Sequence, residues 1–182
     1  MVENEDTALV RQCLKGSQTA FETLVCRYQK AIYNVVFRMC NEHDDAQDIT
    51  QTAFIKAYEK LDTFNPRYKF YSWLYRIAIN ETLNLLEHKK HSTRLRVTHD
   101  RKEESPSKFY HQQELVQNIQ EALMELNPDY RIVIVLKHFH NHSYHEISKM
   151  LQLKEKTVKS RLYTARQLLG KILIKKGLHT DD

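Results

Sequence analysis

The sequence predicts an all-α protein made of two small helical domains joined by a flexible linker. Three observations carry that expectation. The 182 residues include only three Gly and three Pro, too few for a sheet protein with many tight turns. Apolar residues make up 41% of the chain and recur at three-and-four spacing over long stretches. Residues 91–110, by contrast, show almost no apolar periodicity and are rich in Arg, Lys, Glu and Ser around Pro106, which is the composition of a linker.

A first helix is expected from about Thr7 to Lys15, closed by Gly16 as a left-handed cap, with Ser17 capping the next helix. Phe21, Leu24, Val25, Tyr28, Ile32, Val35, Val36 and Met39 then sustain one helical stripe as far as Cys40. After a break at residues 41–44, a third helix from about Asp45 to Leu61 turns Ala46, Ile49, Ala53, Ala57 and Leu61 inward. The Phe64-Asn65-Pro66 segment stops it, because the residue before proline disfavours the helical region. A fourth helix carries Trp73, Leu74, Ile77, Ala78 and Leu85 inward and ends in the basic run at 87–91. Beyond the linker, Leu115, Ile119, Leu123 and Leu126 form one stripe. Asn127-Pro128 then supplies the cap and first residue of a helix containing Tyr130, Val133, Ile134 and Leu136. The expected domains are 1–90 and 111–176, with the linker at 91–110 and a tail at 177–182.

The last third holds the most specific pattern. Ser143 followed three residues later by Glu146 is a capping box, so a short helix starts near Tyr144 with Ile147, Met150 and Leu151 inward. A tight connection leads to a second helix in which Val158, Leu162, Ala165 and Leu169 share one face. Lys156, Ser160, Tyr163, Thr164 and Gln167 occupy the other, flanked by Lys159, Arg161 and Arg166. This is the pattern of a DNA-reading helix-turn-helix, whose donor-rich outer face suits guanine edges and phosphates.

Net charge is +5, and its distribution is segmented: −3 over residues 1–64, +6 over 65–102, −4 over 103–126 and +8 over 127–176. Two basic blocks separated by an acidic connector fit a protein that touches a polyanion at two places. On the third helix, Asp48, Gln51, Thr52, Ile55 and Glu59 share the outer sector, a mixture that suits a protein partner better than DNA. In the next segment Phe64, Tyr68, Phe70, Tyr71, Trp73 and Tyr75 crowd around Arg67, Lys69 and Arg76, with Asn80 and Asn84 continuing the polar side. Aromatics interleaved with cations serve opened DNA, because they restore stacking to unpaired bases. Phe70 and Trp73 are expected to be core rings.

Several functions are excluded or disfavoured. No nucleophile and base pairing, phosphate-cradling Gly loop or paired catalytic carboxylates is present, so no enzyme activity and no cofactor are expected. His138, His140, His142 and His145 cluster in sequence, but they lack the Cys partners or second ligand cluster of a metal site, and no metal is expected. Cys13, Cys26 and Cys40 show no paired spacing and lie in apolar stripes, which predicts reduced, buried thiols. No apolar segment reaches membrane-spanning length and the amino terminus has no signal-peptide character, so a cytoplasmic location is expected.

Three ordered motifs carry a family resemblance: Asp48-Ile-Thr-Gln51-Thr-Ala-Phe54, then Phe70-Tyr-Ser-Trp73-Leu-Tyr-Arg76-Ile-Ala-Ile-Asn80, then Thr157-Val-Lys-Ser-Arg-Leu162. Together they span nearly the whole chain and closely resemble the extracytoplasmic-function (group IV, sigma-70 family) sigma factors of bacterial RNA polymerase. The resemblance implies that the first domain is sigma region 2, docking on the β′ clamp of core polymerase through Asp48, Gln51, Thr52, Ile55 and Glu59. It implies that Phe64, Asn65, Arg67, Tyr68, Lys69, Arg76 and Asn80 engage the melted −10 element, with the loop from Asp62 to Tyr71 receiving a flipped base. The second domain would be sigma region 4, reading duplex −35 DNA with Lys156, Thr157, Lys159, Ser160, Arg161, Tyr163, Thr164 and Arg166. The β flap is a further polymerase contact in this picture, and an anti-sigma factor a further protein partner. No membrane insertion is implied. Where relatives usually place Gly, this chain has Gln152 and Lys156; a left-handed conformation, if the connection requires one of Gln152, costs on the order of 1 kcal/mol. The competing reading is a stand-alone helix-turn-helix regulator that binds duplex DNA as a dimer. A second rival is a metal-responsive or hydrolytic protein built on the His cluster.

Overall fold

The computed structural model describes residues 5–93 and 110–178, with side chains from 5–90 and 114–178. Most of the expected linker and the end of the tail therefore lie outside the described residues. Eight α-helices are present among them, in the order α1 Glu5–Leu14, α2 Gln18–Cys40, α3 His43–Glu59, α4 Phe70–Thr93, α5 Tyr110–Glu125, α6 Pro128–Ile134, α7 Tyr144–Leu151 and α8 Glu155–Lys175. There is no strand among the described residues. None of these helices is long and apolar enough to cross a membrane.

Local chemistry explains the boundaries. Gly16 adopts φ +94° after α1, and the Ser17 hydroxyl accepts from the Ala20 amide to start α2. Asn41 takes a left-handed cap at the end of α2, its amide bonding the Phe37 carbonyl. α3 starts two residues earlier than expected and ends at Glu59, after which Leu61–Thr63 winds as a 3-10 turn ahead of extended Phe64. Asn127 caps α6 through the Asp129 amide, with Pro128 as first helical residue. The Ser143–Glu146 capping box is complete, and Gln152 closes α7 at φ 53° and ψ 39° in the left-handed region.

The first helical unit packs α2, α3 and α4 around Leu24, Ile32, Met39, Phe54, Phe70 and Leu74, with α1 laid along α2. Ala46, Ala53 and Ala57 are fully buried on α3 and, having no side chain beyond Cβ, allow its close approach to α2 and α4. α1 is pinned by Asp6, which is buried and accepts from Arg27 and from the Tyr28 hydroxyl, both at 2.5 Å. The second unit gathers Leu123, Ile132, Leu136, Ile147, Met150, Val158, Leu162 and Ala165. Burying each large aliphatic side chain contributes about 1.5–3 kcal/mol.

The two units are packed against each other rather than held apart. α4 lies against α7, and the C-terminal part of α2 lies against α5, α6 and the turn that follows α6. Arg131 is buried at 4% exposure, and its guanidinium donates to the carbonyls of Leu123, Met124 and Leu126 within its own unit and to Met39 of α2. Arg38 donates to Gln120 Oε1 at 2.9 Å, and Gln120 returns a bond to the Arg38 carbonyl.

Three expectations are corrected by this packing. Cys26 is exposed, whereas Cys13 and Cys40 are buried with thiols pushed up by desolvation. Leu115 is 46% exposed, because the packed part of α5 begins only at Ile119. The helix after Pro128 does not continue as α-helix but passes at Val135–Phe139 into a π turn, closed by the His142 amide on the Leu136 carbonyl at 3.1 Å.

Candidate nucleic-acid and protein interfaces

Three surfaces collect the residues singled out in the sequence. The first is a groove between α2 and α3 with a volume of about 1080 Å³. Gln51, Ile55 and Glu59 line it, as expected of the outer sector of α3, whereas Asp48 and Thr52 do not. Asp48 is nevertheless exposed beside it and Thr52 is half-buried. The groove's other wall was not singled out in the sequence: Phe21, Val25, Lys30 and Tyr33 of α2, joined by Phe54 and Tyr58 of α3. Phe21 meets the Tyr58 ring edge-on at 4.9 Å between centroids, so the floor is aromatic. Ile55 and Tyr58 are 51% and 55% exposed, an apolar pair left uncovered at the rim. The signal for the α2 wall was present in the apolar stripe of α2, which is wider than its core requires.

The second surface is the loop before α4 and the start of that helix. Phe64, Asn65, Tyr68 and Arg76 line a cavity of about 380 Å³ together with Thr63, Ser72 and Trp73. Arg67, Lys69 and Asn80 are exposed outside its lining. Phe64 is only 7% exposed, with its ring 5.6 Å from those of Phe70 and Trp73, so it serves as cavity floor and core at once. Phe70 and Trp73 are core rings as expected. The far wall comes from the other helical unit: Ser148, Lys149, Gln152 and Leu153.

Electrostatics at this wall centre on Glu146. Its Oε1 accepts from Lys69 Nζ at 3.0 Å and from the Tyr71 hydroxyl, while its Oε2 accepts from the amide and hydroxyl of Ser143 at 2.9 Å each. The Tyr71 hydroxyl, ahead of the other donors, holds the Glu146 carboxyl well below the usual carboxylate range. The same network raises Lys69, chiefly through Glu146, and burial raises the Tyr71 phenol. Tyr75 is buried and its phenol is pushed up to about 12 by desolvation. His140 and His142 stack on each other and face Tyr75 at 6.1 and 5.2 Å. Burial drives His140 down to about 4 and lowers His142. His138 and His145 point elsewhere, to Arg166 and Glu155. Among the described residues no group of three or more His, Cys, Asp and Glu side chains is arranged to hold a metal ion.

The third surface is the outer face of α8. Val158, Leu162 and Ala165 are buried, so Lys156, Lys159, Ser160 and Tyr163 face outward, Tyr163 at 68% exposure. Thr157, Arg161 and Thr164 are half-buried, and Arg166 is exposed. Arg161 is turned toward Asp129 at 3.2 Å, and Arg166 donates to His138 Nε2 at 3.1 Å. From Lys156 to Lys175 the helix carries no carboxylate, so nothing on this face repels a phosphate.

Comparison with known proteins gives a consistent result for both units. The family model described as Sigma-70 region 2 matches residues 24–92, and that described as Sigma-70, region 4 matches residues 116–169. The chain is 32% identical over 185 aligned positions to the RNA polymerase sigma-H factor of Pseudomonas aeruginosa, covering 95% of this chain and 96% of that protein. It is 35% identical over 176 positions to the ECF RNA polymerase sigma factor SigW of Bacillus subtilis, covering 90% and 94%. Among solved structures, CnrH in complex with the cytosolic domain of CnrY superposes with a TM-score of 0.74 at 28% identity, covering 94% of this chain and 99% of that one.

Proposed function

This chain belongs to the sigma-70 family as an extracytoplasmic-function sigma factor, a promoter-directing and non-enzymatic transcription initiation factor, and from that premise we propose how its surfaces divide the work. The α2–α3 groove docks on the clamp of core polymerase, with Gln51, Ile55 and Glu59 inside the contact and Asp48 and Thr52 at its edge. The loop before α4 receives the melted −10 strand, its bases stacking on Tyr68 and its phosphates meeting Arg67, Lys69 and Arg76, with Asn80 along the same helix. The outer face of α8 enters the major groove of the −35 element through Lys156, Lys159, Ser160, Tyr163 and Thr164. Thr157, Arg161 and Arg166 hold the flanking phosphates. An anti-sigma factor is the second protein partner in this reading. The CnrH structure, which contains the cytosolic domain of CnrY, supports a protein partner for this fold. Work on polymerase and promoters implies a cytoplasmic location.

The observation that carries the reading is the pairing of an uncovered apolar rim at Ile55 and Tyr58 with a donor-rich outer face on α8 that has no carboxylate from Lys156 onward, on one chain. A stand-alone regulator needs the second and has no use for the first. The test is affinity capture of bacterial core polymerase by the chain and by an Ile55→Asp, Tyr58→Ala variant. Both positions are more than half exposed, so the variant is expected to fold, with a loss of about 0.5–1.5 kcal/mol from the edge-on contact of Tyr58 with Phe21. Capture by the wild type and its loss in the folded variant support the docking surface; equal capture by both refutes it.

A further inference from the structure

His138 lies in the π turn that follows α6, exposed, and its Nε2 accepts from Nε of Arg166 on α8 at 3.1 Å. A ring nitrogen that accepts carries no proton, so the imidazole is neutral with its hydrogen on Nδ1. Burial, together with the charges of Arg166 and Lys137, lowers the His138 pKa and keeps that form in place at pH 7. Lys137 is committed elsewhere, 5.0 Å over the Tyr144 ring with its Nζ donating to the His142 carbonyl at 3.3 Å. The bond from Arg166 to His138 uses Nε alone. The two terminal amino groups of the guanidinium, a pair able to grip two phosphate oxygens, take no part in it. Arg161, on the same helix, is held differently: its partner at 3.2 Å is Asp129, a carboxylate that offsets the charge Arg161 would bring to a phosphate. Arg166 is held by a neutral acceptor and keeps its charge. Because α8 carries no carboxylate of its own from Lys156 to Lys175, a neutral partner here preserves the positive character of that stretch.

We propose that His138 is a positioning residue for promoter binding, which fixes the guanidinium plane of Arg166 before DNA arrives and does so without neutralising it. The proposal rests on the reading of Arg166 as a contact to phosphates flanking the −35 element. A long cationic side chain that is already ordered loses less conformational freedom when it meets a phosphate. The gain is therefore affinity for any duplex, since a phosphate contact carries no sequence information.

The experiment uses the full-length chain and a labelled duplex of mixed sequence, with binding followed by fluorescence anisotropy over a range of salt concentrations. His138 is exposed, so its variants are expected to fold, and circular dichroism checks that they do. His138→Ala should weaken duplex binding about threefold to tenfold, the worth of one hydrogen bond. His138→Gln supplies a neutral acceptor at the same reach and should restore wild-type binding. His138→Glu supplies an acceptor that competes with phosphate; it should bind weakly and lower the salt slope by about the share of one phosphate contact. A double-mutant cycle with Arg166→Ala completes the test, because a residue acting through Arg166 has nothing left to contribute once Arg166 is gone. His138→Ala should therefore add no further loss in the Arg166→Ala chain. Undiminished binding by His138→Ala, failure of His138→Gln to restore it, or an equal loss from His138→Ala with and without Arg166 overturns the positioning role. Tight binding by His138→Glu overturns the need for a neutral partner. Wild-type affinity and salt slope in Arg166→Ala alone would instead refute the reading of Arg166 as a phosphate contact.

Discussion

The guanidinium of Arg131 donates to the carbonyl of Met39, fastening the last turns of α2 to a helix more than ninety residues away in sequence. The same side chain satisfies three carbonyls at the end of α5, and burial lowers its pKa to about 10 without neutralising it at pH 7. It is the buried cation on which both units converge.

Arg131→Met should therefore be among the most damaging single substitutions in the chain. It leaves terminal carbonyls of α5 and α2 without their buried donor, at a cost of about 3 kcal/mol. Thermal denaturation followed by circular dichroism checks this. A loss under about 0.5 kcal/mol would mean that the carbonyls find water and that the interface is not tightly packed.

The stacked pair His140 and His142 predicts a pH dependence. In the folded chain His140 titrates at about 4 instead of 6.5, and His142 is lowered in the same direction. Between those values the unfolded chain binds more protons than the folded one, so stability is complete above about pH 6.5 and declines as pH falls toward 4. Glu146 pulls His142 the other way, while Lys69 and Arg38 reinforce the depression. The melting temperature should drop from pH 7 to pH 5 in the wild type, with a flatter profile in His140→Gln, His142→Gln. Identical slopes would remove these two rings from the linkage.

On α8 base reading and charge are carried by different residues. Ser160→Ala and Tyr163→Ala should change which −35 sequences are used, with about 1–3 kcal/mol lost for each specific contact. Arg166→Ala should weaken all promoters alike and reduce the salt dependence of binding. Selection from a promoter library at two salt concentrations distinguishes these outcomes. An unchanged −35 preference in the Ser160 and Tyr163 variants would place recognition on another surface.

What was legible in the sequence was local or periodic. The capping box at Ser143 and Glu146 and the alanine side of α3 depend on neighbours within one or two turns, and both are present in the structure. The outward face of α8 followed from its apolar stripe for the same reason. Features set by contacts between distant segments carried no such signal. Nothing near Arg131 announces a buried cation, and nothing near Glu146 announces a second set of donors from Lys69 and Tyr71 at the start of α4. Burial of Tyr75 and Ile79 on the side of α4 that faces away from Leu74 follows from a helix that packs on both sides. The α2 wall of the groove escaped notice because its aromatic residues read equally well as core.

Transcription in a purified system measures most directly whether this chain confers promoter choice on core polymerase. Core enzyme, a library of linear promoter fragments and the chain are combined, and the RNA produced is sequenced. Transcripts are expected to depend on the added chain, to start downstream of one recurring pair of upstream elements, and to disappear with the Ile55→Asp, Tyr58→Ala variant. Absence of any chain-dependent transcript, with tight dimeric binding of duplex DNA by the chain alone, would contradict that role and leave the stand-alone regulator in its place.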